Sequence, residues 1–376
     1  MNLRNLPSRL GSSSVIVVGI AGVVAVLCAI LAMAGGFSAA LTRGGDPHRA
    51  IVLRGGAGGE LSSGINTEAM NIVSAMEGID AASGELYTVA DVPKRSNQTP
   101  ANLIIRGVGA AGFDIRPEIK ITQGRRFTPG KGEVIAGRAA TLQFMGVDLG
   151  STIEFRNTEW TIVGVFEAGG SAYESEVWAD LGVAQSAFRR VGVTSMRVRV
   201  SSPDIIESLA QRIAEDPRLD LQLIGEEAFF RGQSEQLSTI ITSFGYLVAV
   251  IMAVGAVFAA LNTMYTAVSS RTVEIATLRA LGFGGTPVVV SVMIEALALA
   301  FLGGAMGAAI AYFGFNGYTV STLNSASFSQ IAFDFAVTPE LLISGLIWAI
   351  ALGLVGGLFP AIRAARLPIT SALRGE

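Results

Sequence analysis

Four long apolar stretches divide the chain, and the first, SSSVIVVGIAGVVAVLCAILAMAGGF, contains no charged residue between Arg9 and Arg43. A helix needs about 20 apolar residues to cross a hydrocarbon core about 30 Å thick. The pattern therefore predicts four transmembrane helices, at residues 13–37, 238–268, 288–315 and 340–362. A cleaved signal peptide is the alternative for the first stretch, but its apolar core is longer than the usual 7 to about 15 residues, which favours an uncleaved anchor.

Residues 43–235 separate the first two predicted helices and have a different composition. They contain charges of both signs, runs in which β-branched residues alternate with other residues, and glycines and prolines between these runs. Strand-like runs mix with helical patterns near residues 66–77, 138–145, 177–189 and 204–215, which predicts an α+β domain. The run STIEFRNTEWTIVGVF predicts a hairpin that turns at Asn157 and Thr158. The predicted fold class is thus a membrane α-helical protein, one helix plus three, with a large α+β domain inserted between helices 1 and 2.

Short segments rich in Lys and Arg stay on the cytoplasmic side of a membrane. The arginines of the short segments that flank the predicted helices fall on one side: Arg4, Arg9, Arg271, Arg279, Arg363, Arg366 and Arg374. The opposite loop, NGYTVSTLNSASFSQIAFDFAVTPE, contains no Lys or Arg. We therefore expect both termini, including residues 1–12, to be cytoplasmic and residues 43–235 to be extracytoplasmic.

Composition and motifs argue against several other functions. The chain has 27 Lys and Arg against 30 Asp and Glu, a net charge of −3, which leaves no basic surface for nucleic acid. Cys28 is the single cysteine and His48 the single histidine, so neither a disulfide framework nor a Cys/His metal site is expected. The acidic run FEAGGSAYESEVWADL lacks ligand spacing, and GRRFTPGKGE fails the P-loop spacing and is read as a turn. We expect no enzyme activity and no cofactor in this chain.

A charged island, RTVEIATLRALGFGG at residues 271–285, lies between two of the apolar stretches. As a helix it would place Arg271, Ile275 and Leu278 on one face, let Glu274 pair with Arg271, and end at Gly282. Such a helix could lie among lipid headgroups or bind a protein partner.

Two features within the predicted helices are candidates for function or packing. Glu295 is a carboxylate in an apolar helix, which is costly; it is interpreted as an anchor for the 271–285 segment, with an ion or proton relay as the alternative. Small residues at four-residue spacing predict close helix packing at Gly303, Gly307, Gly353 and Gly357.

The string SRTVEIATLRALGFGGTPVVVSVMIEALALAFLGGAMGAAIAY resembles the signature of MacB/FtsX-like ABC transporter permeases. The matching positions are Arg271, Glu274, Ile275, Leu278, Arg279, Ala280, Leu281, Gly282, Glu295, Gly303 and Gly307. The ending PAIRAARLPITSALRGE is similar to the family's ending, and the "GR.F", VIAGR and IVGVF elements are similar to its extracytoplasmic domain (MacB-like periplasmic core). The resemblance covers nearly the whole chain and assigns residues 237–376 to an FtsX-like permease domain.

The resemblance implies a permease subunit in a bacterial inner membrane, which moves its extracytoplasmic domain for efflux or for lipoprotein export. Residues 271–285 would dock on a cytoplasmic ATPase that binds ATP and Mg²⁺; Arg271, Glu274 and Arg279 would set the register, and Ile275 and Leu278 would fill its groove. Because about nine residues precede the first helix, we expect that ATPase to be a separate chain. A second permease chain, identical or a paralogue, is implied, and an adaptor or outer-membrane channel is a further candidate partner. The alternatives are an ATPase-independent anchored binding or sensor protein and a regulator of cell-wall hydrolases.

Overall fold

The computed structural model describes residues 10–156, 158–324, 329–366 and 368. The predicted cytoplasmic segment 1–12 lies almost wholly outside this range, as do Arg4, Arg9 and Arg374, on which part of the orientation prediction depends. The chain divides into two compact units. We call Met1–Gly35, Thr239–Tyr318 and Phe335–Glu376 the helical unit, and Gly36–Ser238 and Thr319–Asp334 the mixed unit.

Regular elements account for most of the described chain. The helices are α1 (Leu10–Thr42), α2 (Thr67–Ser74), α3 (Gly112–Ile115), α4 (Arg138–Gln143), α5 (Leu181–Phe188), α6 (Ile206–Glu215), α7 (Glu226–Ser269), α8 (Thr272–Ala280), α9 (Gly285–Phe315) and α10 (Pro339–Ala365). The strands are β1 (Arg49–Arg54), β2 (Ile79–Pro93), β3 (Pro100–Val108), β4 (Lys120–Gly124), β5 (Glu133–Gly137), β6 (Thr152–Phe155), β7 (Thr158–Glu167), β8 (Glu176–Asp180), β9 (Ser195–Val200), β10 (Leu221–Gly225), β11 (Thr319–Asn324) and β12 (Ser329–Asp334).

Within the described part of the chain, four helices are long and apolar enough to cross a membrane: α1, α7, α9 and α10. Their number agrees with the four apolar stretches of the sequence. The bounds differ most for α7, which begins at Glu226 rather than near residue 238, so the proposed end of the mixed domain at residue 235 falls inside a helix. The segment EEAFFRGQSEQL is too polar to register as a membrane span, although its residues are mostly good helix formers.

Glycines of α9 bring it close to α1 within the helical unit. A Cβ added at Gly303 would lie 2.9 Å from the carbonyl oxygen of Val17, and one added at Gly307 would lie 2.6 Å from that of Ala21. A larger residue at either position would force the helices apart. Close backbone approach of this kind stabilises helix pairs in lipid, where no hydrophobic effect drives them together.

Glycines of α10 make a similar close contact with α9, nearer the beginning of that helix. A Cβ added at Gly353 would collide with the Cβ of Ala300, and one added at Gly357 would lie 2.6 Å from the Cβ of Ala296. The sequence predicted close packing at these glycines without a partner helix. The structure identifies α9 as that partner.

The mixed unit is built on one ten-stranded sheet with the order β10-β1-β9-β2-β3-β8-β5-β7-β4, and β6 pairs with β7. Most neighbours are antiparallel, but β3–β8 and β5–β7 are parallel. Helices α2 and α6 pack with one cluster of buried apolar side chains and α4 and α5 with another. This is the α+β class that the sequence predicted.

Two local predictions in the mixed unit need correction. The β6–β7 hairpin forms, but Phe155 pairs with Thr158, so Thr158 belongs to the strand rather than the turn; Asn157 lies outside the described residues. The helix predicted over 177–189 is strand β8 followed by α5. The segment EVWAD is extended because β8 lies between β3 and β5 in the middle of the sheet, where its side chains are buried.

The segment predicted as a plain loop between the third and fourth spans contains the hairpin β11–β12, which belongs to the mixed unit. Ile331 and Phe333 are buried, and the ring of Phe333 makes an edge contact with Phe37, with 5.6 Å between centroids. The backbone N–H of Ala332 donates a hydrogen bond to Ser175 Oγ. The short alternation in SQIAFD was the only signal for this strand.

Candidate functional site

The charged island forms a short helix between α7 and α9. Helix α8 runs from Thr272 to Ala280, and the chain leaves it through Gly282, whose φ of +97° is a conformation that favours glycine. The backbone N–H of Phe283 donates to the carbonyl of Leu278 and closes this end. The helix thus stops at the glycine that the sequence singled out.

One side of α8 packs into the helical unit. Ile275 and Ala276 are buried, and Ile275 belongs to the same apolar cluster as Val268, Val288 and Val292. The prediction that Ile275 fills a groove on a partner is therefore wrong for this conformation. Its side chain instead holds α8 against the ends of α7 and α9.

An ion pair also holds the start of α8. Arg271 Nη1 lies 2.9 Å from Glu295 Oε2, and the two side chains are only 17% and 10% exposed. The sequence suggested a pair between Arg271 and Glu274, but Glu274 is exposed and Arg271 pairs with Glu295 instead. A buried carboxylate needs a cation more than an exposed one does, because burial removes its hydration. The contact fits the interpretation of Glu295 as an anchor for this segment.

Residues 273–283, which include most of α8 and the turn after it, also expose an unusual amount of apolar surface for so short a segment. Val273, Leu278, Leu281 and Phe283 are each about half exposed or more. Glu274, which is also exposed, adds a charge at the same surface. Clustered exposed apolar residues mark interaction sites. We call the exposed side chains of residues 273–283 the coupling surface.

A cavity of about 200 Å³ lies beneath α8. Its wall is mostly apolar and includes Ile275, Leu278 and Val288, with Arg271 and Glu295 as its ion pair. Arg271, Ile275 and Leu278 thus share one face, as the sequence predicted, but this face borders the cavity. Because of this cavity, α8 is held mainly by the side chain of Ile275 and by the ion pair between Arg271 and Glu295, and not by continuous apolar packing.

A second constellation, which the sequence analysis missed, lies inside the mixed unit. Among the described residues of the mixed unit, eight charged side chains that are no more than 7% exposed form a cluster of four cations and four anions. We call it the buried charge cluster; its members are Arg49, Arg106, Arg116, Arg197, Glu60, Glu85, Glu176 and Glu226. Equal numbers of opposite charges make such burial tolerable.

Arg106 is the centre of the buried charge cluster. Its guanidinium donates to both oxygens of Glu60 and of Glu176 and to one oxygen of Glu85, at 2.7–3.1 Å. Burial alone would raise the pKa of Glu60, but the charges of Arg106 and Arg197 outweigh it and hold that pKa at about 2. Glu60 therefore remains ionised at neutral pH.

Glu226, the first residue of α7, is fully buried in the same cluster. It accepts hydrogen bonds from Arg49 Nε and from the hydroxyl of Tyr173, at 2.5 and 3.0 Å. Burial raises the pKa of Tyr173 to about 12, so the phenol stays protonated and can donate. The guanidinium of Arg116 lies over the rings of Tyr173 and Trp178, at 5.1 and 4.7 Å from their centroids. The beginning of α7 is thereby tied to the sheet.

The sequence did contain a signal for this cluster. Arginine or glutamate interrupts apolar strand runs in NLIIRGV, SMRVRV and ASGELYTV. Several of these charges fall at inward positions of the alternation, and only partners from distant strands make that acceptable. Partners so far apart along the chain are not visible in a local pattern.

Acidic residues of the run FEAGGSAYESEVWADL have partners within the mixed unit. Glu167 pairs with Arg138, Glu174 accepts backbone N–H groups, and Asp180 caps α5. No group of His, Cys, Asp and Glu suited to a metal ion occurs among the residues that the structure describes. The Gly-rich segment with Lys131 is the turn between β4 and β5.

Comparison with known proteins bears on both halves of the chain. A family model described as the MacB-like periplasmic core domain matches residues 13–216, and one described as the FtsX-like permease C-terminal domain matches residues 246–369. The chain belongs to the MacB/FtsX-like family of ABC transporter permeases. The second match includes α8 and Glu295, and the first includes seven of the eight members of the buried charge cluster, all except Glu226.

Relatives in this family differ in length. The chain is 22% identical over 326 residues to the uncharacterized ABC transporter permease YknZ of Bacillus subtilis, covering 81% of this chain and 79% of YknZ. It is 28% identical over 302 residues to a macrolide export ATP-binding/permease protein MacB of Paracoccus denitrificans, covering 74% of this chain. The chain spans only 43% of that MacB.

Solved structures of family members cover about half of this chain at low overall similarity. The periplasmic region of MacB from Actinobacillus actinomycetemcomitans is 17% identical, with a TM-score of 0.37, and covers 49% of this chain and 92% of that structure. The extracellular domain of YknZ from Gram-positive bacteria is 16% identical, with a TM-score of 0.36, and covers 47% of this chain and 99% of that structure.

Proposed function

We propose that this chain is the permease subunit of an ABC transporter, driven by a separate cytoplasmic ATPase, that moves its extracytoplasmic domain to export or extract a hydrophobic substrate or lipoprotein. The observation that carries the proposal is the coupling surface on α8, an exposed apolar face in the matched FtsX-like permease segment. Family membership implies an ATPase partner for it.

The coupling surface has the features of a protein interface. Leu281 and Phe283 are 73% and 56% exposed, and large apolar side chains of this kind are the usual anchors of an interface. Glu274 and Arg279 would set the register with charges on the ATPase. On the inner side, Ile275 and the ion pair of Arg271 keep α8 in position, so a push on its outer side would reach α7 and α9.

The wider assembly follows from the same proposal. Two permease chains, identical or paralogous, would pair with two ATPase chains that bind ATP and Mg²⁺, and both termini would be cytoplasmic. The mixed unit would lie outside the cytoplasmic membrane, where an adaptor or outer-membrane channel could bind it. The name of the Paracoccus relative, a macrolide export protein, supports a hydrophobic export substrate for this chain.

Glu226 supplies a route by which movement would reach the mixed unit. It is buried among Arg49, Tyr173 and Arg197, and it is the first residue of the helix that continues to Ser269. Displacement of α7 along its axis would therefore pull on the buried charge cluster.

The test is copurification of the tagged chain from native membranes, with bound proteins identified by mass spectrometry. The variant Glu274→Arg/Arg279→Glu should lose a Walker-motif ATPase that the native chain retains, and Leu281→Asp should lose it too. Glu227→Arg, a charge reversal at an exposed position in the mixed unit, is the matched control and should retain the ATPase.

Equal recovery of the ATPase with the coupling-surface variants would contradict the docking proposal. Absence of any ATPase from folded native protein, in both detergent and native nanodiscs, would favour the anchored sensor.

A further inference from the structure

A polar cleft of about 530 Å³ lies beside the coupling surface, where α7 ends, α8 begins and the last turns of α10 pass. Five hydroxyl-bearing residues and one arginine line it: Tyr265, Thr266, Ser269, Ser270, Thr272 and Arg363. No carboxylate is among the described residues that line this cleft. Its walls therefore carry one net positive charge and many hydrogen-bonding groups.

Some of these hydroxyl groups already donate hydrogen bonds to backbone carbonyls. Thr266 donates to the carbonyl of Asn262 and Thr272 to that of Ser269, at 2.9 and 2.8 Å. Within the described chain, the hydroxyls of Tyr265 and Ser269 make no side-chain hydrogen bond. These two groups remain as donors toward the cleft.

Arg363 adds the charge. Its guanidinium carbon lies 5.3 Å from the centroid of the Tyr265 ring, and Arg363 makes no ion pair with any carboxylate in the described part of the chain. The ring positions the guanidinium without neutralising it. At the opposite wall Thr272 begins α8, whose N-cap, Arg271, supplies no side-chain hydrogen bond to the first turn. The positive end of that helix adds to the charge of Arg363.

We infer that this cleft binds an anionic phosphate group, presented by a phospholipid headgroup or by free phosphate. A guanidinium with hydroxyl donors matches the several oxygens of a phosphate. The cleft lies at the ends of two candidate membrane-spanning helices, which is the level of lipid headgroups, and it has more room than one phosphate needs. The inference requires that these helices span a membrane but not that an ATPase binds.

The test uses native mass spectrometry of the delipidated full chain, titrated with phosphatidylglycerol or with phosphatidylcholine, whose choline compensates the phosphate charge. The native chain should retain phosphatidylglycerol about fivefold better than phosphatidylcholine. Arg363→Gln should remove this preference and Arg363→Lys should keep part of it. Arg366→Gln, at an exposed arginine of the same helix end that does not line the cleft, should keep it fully.

A second variant, Tyr265→Phe/Ser269→Ala, removes the two hydroxyl groups that make no side-chain hydrogen bond and leaves the charge of the cleft unchanged. It should weaken the retention of phosphatidylglycerol, and it provides a test even if Arg363→Gln fails to fold. If excess inorganic phosphate displaces phosphatidylglycerol, the cleft binds free phosphate. If phosphatidylglycerol remains bound in excess phosphate, the cleft binds the lipid headgroup. No preference in the native chain, or full preference in Arg363→Gln, would overturn the inference. Loss of ATPase recovery in Arg363→Gln with lipid preference intact would also overturn it and assign the cleft to a protein interface.

Discussion

Replacing Arg106 with methionine tests the energetics of the mixed unit most directly. Methionine keeps an apolar stem of similar length, so the change removes mainly the charge and its hydrogen bonds. The five bonds from Arg106 to Glu60, Glu85 and Glu176 are lost together, and the buried charge cluster is left with three cations and four anions.

The expected cost follows from burial. Arg106 is 2% exposed and its partners are 7% exposed or less, so water cannot replace the lost bonds. Removing one partner of a buried ionic network typically costs about 3–5 kcal/mol, because the remaining charge is left unpaired. This is a large part of the roughly 5–15 kcal/mol that stabilises a domain.

Urea unfolding of the full chain in detergent measures this cost. Trp160 and Trp178 are fully buried in the mixed unit, and a Trp348→Phe background removes the third tryptophan, which lies in α10. The midpoint for Arg106→Met should fall strongly. The control Arg125→Met breaks an exposed ion pair, in which the arginine is 55% exposed, and should change the midpoint little.

A charge-balanced double variant separates electrostatics from packing. Arg106→Met/Glu176→Gln restores equal numbers of buried cations and anions, and glutamine can still accept the hydrogen bond from the indole of Trp178. The double variant should therefore be more stable than Arg106→Met alone, by about 1–3 kcal/mol. A double variant that is less stable than Arg106→Met, or an Arg106→Met midpoint equal to the native one, would refute the reasoning.

Three further predictions concern pH, helix packing and α8. Because the pKa of Glu60 is lowered from 4.5 to about 2 in the folded chain, its contribution is present above pH 4.5 and is lost as pH falls toward 2; Glu60→Gln should flatten the acid unfolding profile there. Gly353→Val should lower the melting temperature in detergent, whereas Gly255→Val, with no atom within 4 Å of an added Cβ, should not. Arg271→Gln should speed hydrogen exchange in residues 272–280 about tenfold, whereas Glu274→Gln, at an exposed position of the same helix, should leave the exchange nearly unchanged; equal effects would argue against the anchor.

The elements that sequence predicted best are those set by local composition. A run of about 20 apolar residues has few structural alternatives, so the four long helices were identifiable. The start of α7 was not, because EEAFFRGQSEQL is held as a helix end by contacts of Glu226 with Arg49 and Tyr173, which lie far away in the sequence. A hydropathy window cannot detect such contacts.

The candidate site shows a different limit. Periodicity correctly grouped Arg271, Ile275 and Leu278 on one face of α8, and all three line the same cavity. It could not determine which face turns inward, because both faces of this helix carry apolar residues. The buried carboxylate of Glu295 resolves this, since its ion pair draws Arg271 and its face toward the helical unit.

Glu226 lies in a segment that neither family model matches. The two family matches end at residue 216 and begin again at residue 246, and Glu226 falls between them. Its place in the buried charge cluster is therefore a property of this chain rather than an inference from relatives. Glu226 is held by Arg49 from β1 and by Tyr173, which lies in the short turn before β8, so the first residue of α7 has partners from two separate parts of the mixed unit. Under the proposed function, a displacement of α7 would therefore act on both of these contacts.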